Sequence, residues 1–130
     1  DEPLARARAA LPDELMLGLS IESDVQLVEA LADPAVAPDV IGASPVWSTA
    51  TKTDTAPALG VQGADRIARV AADAGVRSVG IGGVSPTNVA DLATTALDGV
   101  CVVSAIMAAP DPRAAAADLL ARWEAGRGTR

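Results

Sequence analysis

The sequence contains no histidine, no phenylalanine and no tyrosine. Without histidine, the chain cannot by itself form a Ser-His-Asp triad, a Cys-His pair or a histidine-ligated zinc site. Its single cysteine, Cys101, cannot form a disulfide within the chain, which is typical of a reducing compartment. Trp47 and Trp123 are the only aromatic residues, so the chain lacks the aromatic platform on which single-stranded nucleic acids stack.

Positive charge is also scarce. Ten lysines and arginines face 17 acidic residues, which gives a net charge of −7. An acidic chain without a basic cluster is a poor match for nucleic acid. No apolar run is long enough to span a membrane, and the acidic start at Asp1 lacks the layout of a signal peptide. We therefore expect a cytoplasmic protein that binds neither nucleic acid nor membranes.

Hydrophobic residues make up 50% of the 130 positions, which is enough to bury the core of one domain. No linker or low-complexity segment divides the chain. We predict a single domain over residues 1–125, followed by a flexible tail over residues 126–130.

Short apolar runs alternate along the chain with amphipathic segments of helical periodicity. This pattern is typical of parallel strands that are covered on both faces. Cys101 lies within the last apolar run, so we expect it to be a core residue rather than a reactive one. The pattern predicts strands near 15–20, 39–46, 78–83 and 99–104, and helices near 3–11, 23–32, 61–74, 86–96 and 112–124.

An open doubly wound sheet and a piece of a (β/α)₈ barrel both fit this alternation. The first would be expected to carry a nucleotide-binding fingerprint, and the chain has neither G-x-G-x-x-G nor a P-loop. In (β/α)₈ barrels a phosphate often binds at the loops after the last two strands. Here those strands end in Gly82-Gly83 and in Val103-Ser104, whose backbone amides could meet an anion.

Four segments in this order resemble the thiamine phosphate synthase family. They are Gly-Leu-Ser at 18–20, Gly-Ala-Ser-Pro-Val-Trp-Ser-Thr-Ala-Thr-Lys at 42–52, Ile-Gly-Gly-Val at 81–84 and Val-Val-Ser-Ala-Ile at 102–106. Each lies at the carboxyl end of a predicted strand. The resemblance implies a (β/α)₈ transferase of thiamine biosynthesis that uses Mg²⁺. That enzyme joins hydroxymethylpyrimidine diphosphate to a thiazole phosphate and releases pyrophosphate.

The resemblance also implies roles for individual residues. It assigns Ser20 to the pyrimidine substrate, Lys52 to its diphosphate as the catalytic cation, and Asp1 to Mg²⁺. It assigns the thiazole phosphate to Thr49, Ala50, Thr51, Gly83, Val103 and Ser104. Such a reaction needs charge neutralisation on the leaving group and alignment of two substrates more than acid–base catalysis, so a site without histidine is consistent with it.

Plainer interpretations of the same residues stay open. Ser20 could cap a helix, residues 49–52 could form a solvated Thr-rich loop, and Gly82-Gly83 could only turn the chain. Asp1 could be an N-cap carboxylate.

A complete barrel needs at least about 200 residues, so we expect this chain to correspond to about strands five to eight. The Gln-x-x-x-Lys segment and the Asn-Asp pair of the family's first half are not present. The N-terminal half of a barrel, or a second copy, is then expected at the open strand edges. Two alternatives are a non-catalytic α/β fragment or partner module and a thiazole tautomerase-like phosphate-binding barrel.

Overall fold

The computed structural model describes residues 3–49 and 57–128, and its centre is a parallel sheet. Its strands are β1 (Gly18–Ile21), β2 (Val40–Ala43), β3 (Arg77–Ile81) and β4 (Gly99–Cys101). The spatial order is β1-β2-β3-β4, and every neighbouring pair is parallel. The predicted parallel α/β architecture is confirmed. Within the described residues the strand order shows no reversal of the kind that a doubly wound sheet has.

Six helices accompany the sheet in the described ranges. They are α1 (Leu4–Ala10), α2 (Asp24–Leu31), α3 (Gly60–Asp73), α4 (Val89–Ala93), α5 (Ser104–Met107) and α6 (Pro112–Arg127). Helix α2 packs on α3, α3 on α4, and α4 on α6. Right-handed crossovers between sequential parallel strands place such helices on one face of the sheet. None of the described helices is long and apolar enough to cross a membrane.

The core lies between this helical layer and one face of the sheet. Ile21, Ile41 and Ala43 point into it and pack with Ile67 of α3. Val46, Leu92 and Leu97 form the core of the other half, with Leu119 of α6. Fully burying one such aliphatic side chain contributes about 1.5–3 kcal/mol, so this layer is the main source of stability.

The opposite face of the sheet, called the open face below, carries Ser20, Gly42, Arg77, Ile81 and Cys101. Ser20, Arg77 and Cys101 are exposed there. The expectation that both faces are covered is therefore wrong for the described part of the chain. The prediction of Cys101 as a core residue is wrong for the same reason, because strand alternation turns its side chain away from the helices.

Two aspartates connect neighbouring strands at the amino-terminal edge of the sheet by the same pair of hydrogen bonds. The amide of Asp39 donates to the Leu17 carbonyl (2.8 Å) while its Oδ2 accepts from the Leu17 amide (2.7 Å). Asp98 makes the equivalent pair of bonds to Ser78, both 2.8 Å long. The hydrogen bond from the Leu17 amide is the main cause that lowers the pKa of Asp39. The Arg8 guanidinium, 2.9 Å from Asp39 Oδ2, lowers this pKa further.

Several predicted boundaries differ from the structure. The first strand begins at Gly18 because residues 12–15 form a turn, in which the Leu15 amide donates to the Pro12 carbonyl. The fourth strand ends at Cys101, and a short helix, α5, which was not predicted, begins at Ser104. Helix α4 begins at Val89, three residues after the predicted start, since residues 85–88 form a turn.

The predicted tail at 126–130 is wrong at its first residues. Helix α6 extends to Arg127, whose guanidinium donates to the Leu97 carbonyl (2.7 Å) and lies over the Trp123 ring. A Cβ at Gly126 would lie 2.7 Å from Ala93 Cβ. The small residue at 126 therefore lets α6 approach α4 closely, while residues 129–130 lie outside the described residues.

Candidate functional site at the carboxyl edge of the sheet

The loops that follow β2 and β3 are joined to each other by backbone hydrogen bonds. The Val46 amide donates to the Ile81 carbonyl (2.9 Å), and the Trp47 amide donates to the Gly82 carbonyl (3.1 Å). Gly82 and Gly83 have φ values of 101° and 69°, which L side chains rarely adopt. A Cβ at Gly83 would also lie 2.7 Å from Trp47 Cβ. Glycine at 83 is thus required by both its backbone conformation and its packing.

The long loop after β2 is closed at its base beside this glycine turn. The Leu59 amide donates to the Pro45 carbonyl (2.8 Å), and the Gly60 amide donates to the Val46 carbonyl (2.9 Å). The loop therefore leaves and re-enters the fold at one place, next to Gly82-Gly83. Half-buried Thr49 is the last residue described before the gap. The predicted site residues Ala50, Thr51 and Lys52 lie outside the described residues, as does Asp1.

The end of β4 lies beside the end of β3. The register pairs Ile81 with Cys101, so Gly83 and Val103 each lie two residues beyond a paired position. Val103 is the N-cap of α5, its carbonyl accepts from the Ile106 and Met107 amides, and both Val103 and Ser104 are exposed. The structure thus brings the two predicted phosphate-binding segments to the same edge of the sheet.

Ser20 lies on the open face, one residue before the end of β1. The register pairs it with Gly42, and its Oγ is 3.9 Å from the position that a Cβ on Gly42 would take. Ile81 Cδ1 is 2.9 Å from that position, so it lies over Gly42 on the same face. The helix-cap interpretation of Ser20 is wrong, because Ser23 caps α2 by accepting from the Gln26 amide.

Asn88 is a residue of this edge that the sequence did not identify. Its Nδ2 donates to the Gly83 carbonyl (2.9 Å), and its Oδ1 accepts from the Ser85 amide (2.8 Å). The spacing Gly83-x-Ser-Pro-Thr-Asn88 was the available signal, because an asparagine three residues after a serine often closes a turn. Sequence reasoning instead placed Asn88 inside a helix.

The described residues offer no complete metal site at this edge or elsewhere. No group of three or more His, Cys, Asp or Glu side chains within 3–49 and 57–128 could hold an ion. What the edge does offer is glycines, hydroxyls and backbone amides, and backbone amides are donors that bind anions.

These features define a class: a parallel α/β protein with a glycine-rich, anion-compatible site at the carboxyl edge of its sheet. The family model described as "Thiamine monophosphate synthase" matches residues 1–106. The chain therefore belongs to the thiamine monophosphate synthase family, as the four sequence segments predicted.

Individual relatives agree with this family. The chain is 53% identical to the thiamine biosynthesis multifunctional protein ThiED of Corynebacterium efficiens, over 98% of this chain and 18% of that protein. It is 37% identical to the thiamine-phosphate synthase of Desulfitobacterium hafniense, over 95% of this chain and 56% of that enzyme. Among solved structures, the thiamine phosphate pyrophosphorylase of Pyrococcus furiosus superposes with a TM-score of 0.79 at 31% identity, over 97% of this chain and 56% of that one. The chain thus spans little more than half the length of the Desulfitobacterium hafniense and Pyrococcus furiosus proteins and less than a fifth of ThiED.

Proposed function

We propose that this chain carries the thiazole-phosphate side of a thiamine phosphate synthase. The observation that carries the proposal is the junction of the loops after β2 and β3, where the Gly82-Gly83 turn meets the base of the loop that contains Thr49. In the proposed reaction, hydroxymethylpyrimidine diphosphate and a thiazole phosphate give thiamine phosphate and pyrophosphate. The family match and the names of the relatives support this activity.

The thiazole phosphate is proposed to bind at the ends of β3 and β4. Gly83 would approach the phosphate with its backbone, because it has no side chain in the way. Val103 and Ser104 would contribute the amides that precede the first turn of α5, which explains why an apolar valine can belong to the site. Thr49, Ala50 and Thr51 would contribute to the same phosphate site, with threonine hydroxyl donors at alternate positions of the sequence.

Lys52 is the proposed catalytic cation. The bond between the pyrimidine methylene and the diphosphate breaks, pyrophosphate leaves with the bonding electrons, and the thiazole nitrogen attacks the resulting cation. An ammonium group beside the departing pyrophosphate stabilises the charge that develops on it. Ser20, on the open face, would contact the pyrimidine ring and hold it in line with the thiazole nitrogen.

Mg²⁺ is part of the proposal, but the described residues do not provide its site. Asp1 would supply one ligand, and the other ligands would come from outside residues 3–49 and 57–128.

We further propose that the sheet is one half of a (β/α)₈ barrel and that an N-terminal half covers its open face. Within the described residues, β1 and β4 each have a strand partner on one side only. An apolar cleft of about 450 Å³ lies beside β4, and its lining includes Val100, Val102, Ile106 and Trp123. Unpaired strand edges beside apolar surface favour association, and closure of a barrel removes them. A second copy of the chain is the alternative occupant.

Cys101 reports on this closure. It is the only cysteine in the chain, and it is exposed on the open face of an edge strand. A maleimide should label Cys101 rapidly in the isolated chain and at least about tenfold more slowly once the complementary half is bound, because closure buries the thiol. Equal labelling rates in a complex that light scattering shows to be assembled would contradict the barrel proposal.

Calorimetric titration tests the substrate assignment itself. The thiazole phosphate should bind to the chain more tightly than the same thiazole alcohol without its phosphate, and the difference should fall when salt is raised. Equal affinity for the two compounds would contradict a phosphate site in this chain and would favour a non-catalytic module.

A further inference from the structure

We propose that Asn88 is a positioning residue that fixes the direction in which the Gly82–Val84 segment presents its backbone amides. This inference rests on the proposed function of that segment as a phosphate site. Asn88 lies outside the set of residues that the family resemblance assigns to the substrates.

Three consecutive carbonyls, from Ile81 to Gly83, each accept a hydrogen bond from the protein. The Ile81 carbonyl accepts from the Val46 amide, and the Gly82 carbonyl accepts from the Trp47 amide. The Gly83 carbonyl accepts from Asn88 Nδ2 at 2.9 Å. The first two donors are main-chain groups of the loop after β2, so Asn88 is the side chain that completes the series.

The direction of each carbonyl fixes the direction of the following amide. A trans peptide is planar, so the N–H of one residue points opposite to the C=O of the residue before it. The bond from Trp47 therefore turns the Gly83 amide away from the Trp47 backbone, and the bond from Asn88 turns the Val84 amide away from the Asn88 side chain. Neither amide donates to an acceptor within residues 3–49 and 57–128. Both amides thus lack a protein acceptor in this part of the chain, and in the proposal an anion supplies it.

Asn88 is itself held rigidly enough to perform this task. Its Oδ1 accepts from the Ser85 amide (2.8 Å), and its own amide donates to the Ser85 carbonyl (3.2 Å). The next residue, Val89, is completely buried at the start of α4. The carboxamide therefore connects the anchored start of α4 to the peptide between Gly83 and Val84.

The chemistry of the asparagine side chain defines a sharp perturbation. Asn88→Asp retains the acceptor for Ser85 but replaces the donor to Gly83 with a carboxylate oxygen, which repels the carbonyl. The expected result is rotation of the Gly83–Val84 peptide. Asn88→Ser is the second variant, because a hydroxyl can still accept from the Ser85 amide but is too short to reach the Gly83 carbonyl. Thr87→Val is the matched control, since it removes only the Ser85–Thr87 hydroxyl contact (2.9 Å) in the same turn.

The test is a titration of the isotopically labelled chain with inorganic phosphate, followed by the amide resonances of Gly83 and Val84. We expect both resonances to shift in the unchanged chain and in Thr87→Val with similar affinity. Asn88→Asp and Asn88→Ser should bind about tenfold more weakly, as expected for a loss of about 1.4 kcal/mol. Circular dichroism verifies the fold of each variant, and Asn88→Ser carries the test if Asn88→Asp does not fold.

Unchanged phosphate affinity in both Asn88 variants would overturn the inference, as would an equal loss in Thr87→Val. Failure of the proposed function gives a different result: inorganic phosphate would shift these amides in an Asn88-dependent way, while the thiazole phosphate would bind no better than the unphosphorylated thiazole. In an active assembly, Asn88→Ser should raise the KM for the thiazole phosphate about tenfold. It should leave the KM for the pyrimidine diphosphate unchanged, whereas a merely structural defect would affect both substrates.

Discussion

Substitution of Gly83 by alanine tests whether the glycine turn is held against the loop after β2. Gly83 has a φ of 69°, and alanine in this left-handed conformation costs about 1–2 kcal/mol. The new Cβ would also lie 2.7 Å from Trp47 Cβ and 3.3 Å from the Trp47 carbonyl oxygen. Overpacking of this kind adds about 1–3 kcal/mol, so Gly83→Ala should lower the free energy of unfolding by about 2–5 kcal/mol in total.

Gly75 provides a matched control for the backbone contribution. Its φ is 74°, but apart from its own chain neighbours no atom of the described residues lies within 4 Å of the position that a Cβ would take. Gly75→Ala should therefore cost only the conformational part, about 1–2 kcal/mol. The lower backbone entropy of alanine in the unfolded state affects both variants alike and cancels in the comparison.

Urea unfolding of the two variants, followed by tryptophan fluorescence, measures the difference. The midpoint for Gly83→Ala should lie below that for Gly75→Ala, with similar m-values. If the two substitutions cost the same free energy, Trp47 does not restrain the turn and the geometry of the candidate site is wrong.

Three further predictions concern charge and burial. Lys52→Ala in an active assembly should lower kcat by about 30- to 150-fold, the equivalent of roughly 2–3 kcal/mol of transition-state stabilisation, and unchanged turnover would refute the role of this lysine. Asp39→Asn should destabilise the chain at neutral pH. Folding lowers the pKa of the Asp39 carboxyl. Its ionised form therefore contributes to the free energy of unfolding above the unfolded pKa of about 3.9, and this contribution disappears as the pH falls through the lower folded pKa. Urea midpoints of the two forms should therefore converge at acid pH, and a constant difference from pH 7 to pH 2 would contradict the assignment. Ser78 is buried, and its Oγ has no hydrogen-bond partner among the residues that the structure describes. Ser78→Ala should therefore leave thermal stability unchanged or raise it, and a loss above about 1 kcal/mol would indicate an unrecognised partner.

The parallel α/β architecture could be predicted from the sequence because apolar runs and helical periodicity are local patterns. The same locality explains the errors. Whether an apolar strand residue such as Cys101 is buried depends on what covers the other face of the sheet. The local apolar sequence does not contain that information. The start of α4 was misplaced because the side chain of Asn88 closes a turn where periodicity alone continues the helix.

The candidate site was predicted in part for a similar reason. Glycines and a Val-Ser pair at predicted strand ends mark anion-compatible loops, and the structure brings Gly83 and Val103 to neighbouring positions at one edge. The hydrogen bonds to the Gly82 and Gly83 carbonyls could not be predicted. The bond to Gly82 comes from Trp47, about 35 positions away, and the bond to Gly83 depends on the side-chain rotamer of Asn88. The assignments of Ala50, Thr51, Lys52 and Asp1 stay predictions.

The most direct test of the proposed activity is a coupling assay with both substrates and Mg²⁺. The chain is mixed with the part of the Desulfitobacterium hafniense thiamine-phosphate synthase that has no counterpart in this chain. Light scattering verifies that the two parts assemble. We predict equal amounts of thiamine phosphate and pyrophosphate from the assembled complex, and none from either part alone. An assembled complex that binds the thiazole phosphate at Gly83 yet forms no thiamine phosphate would contradict the proposed function.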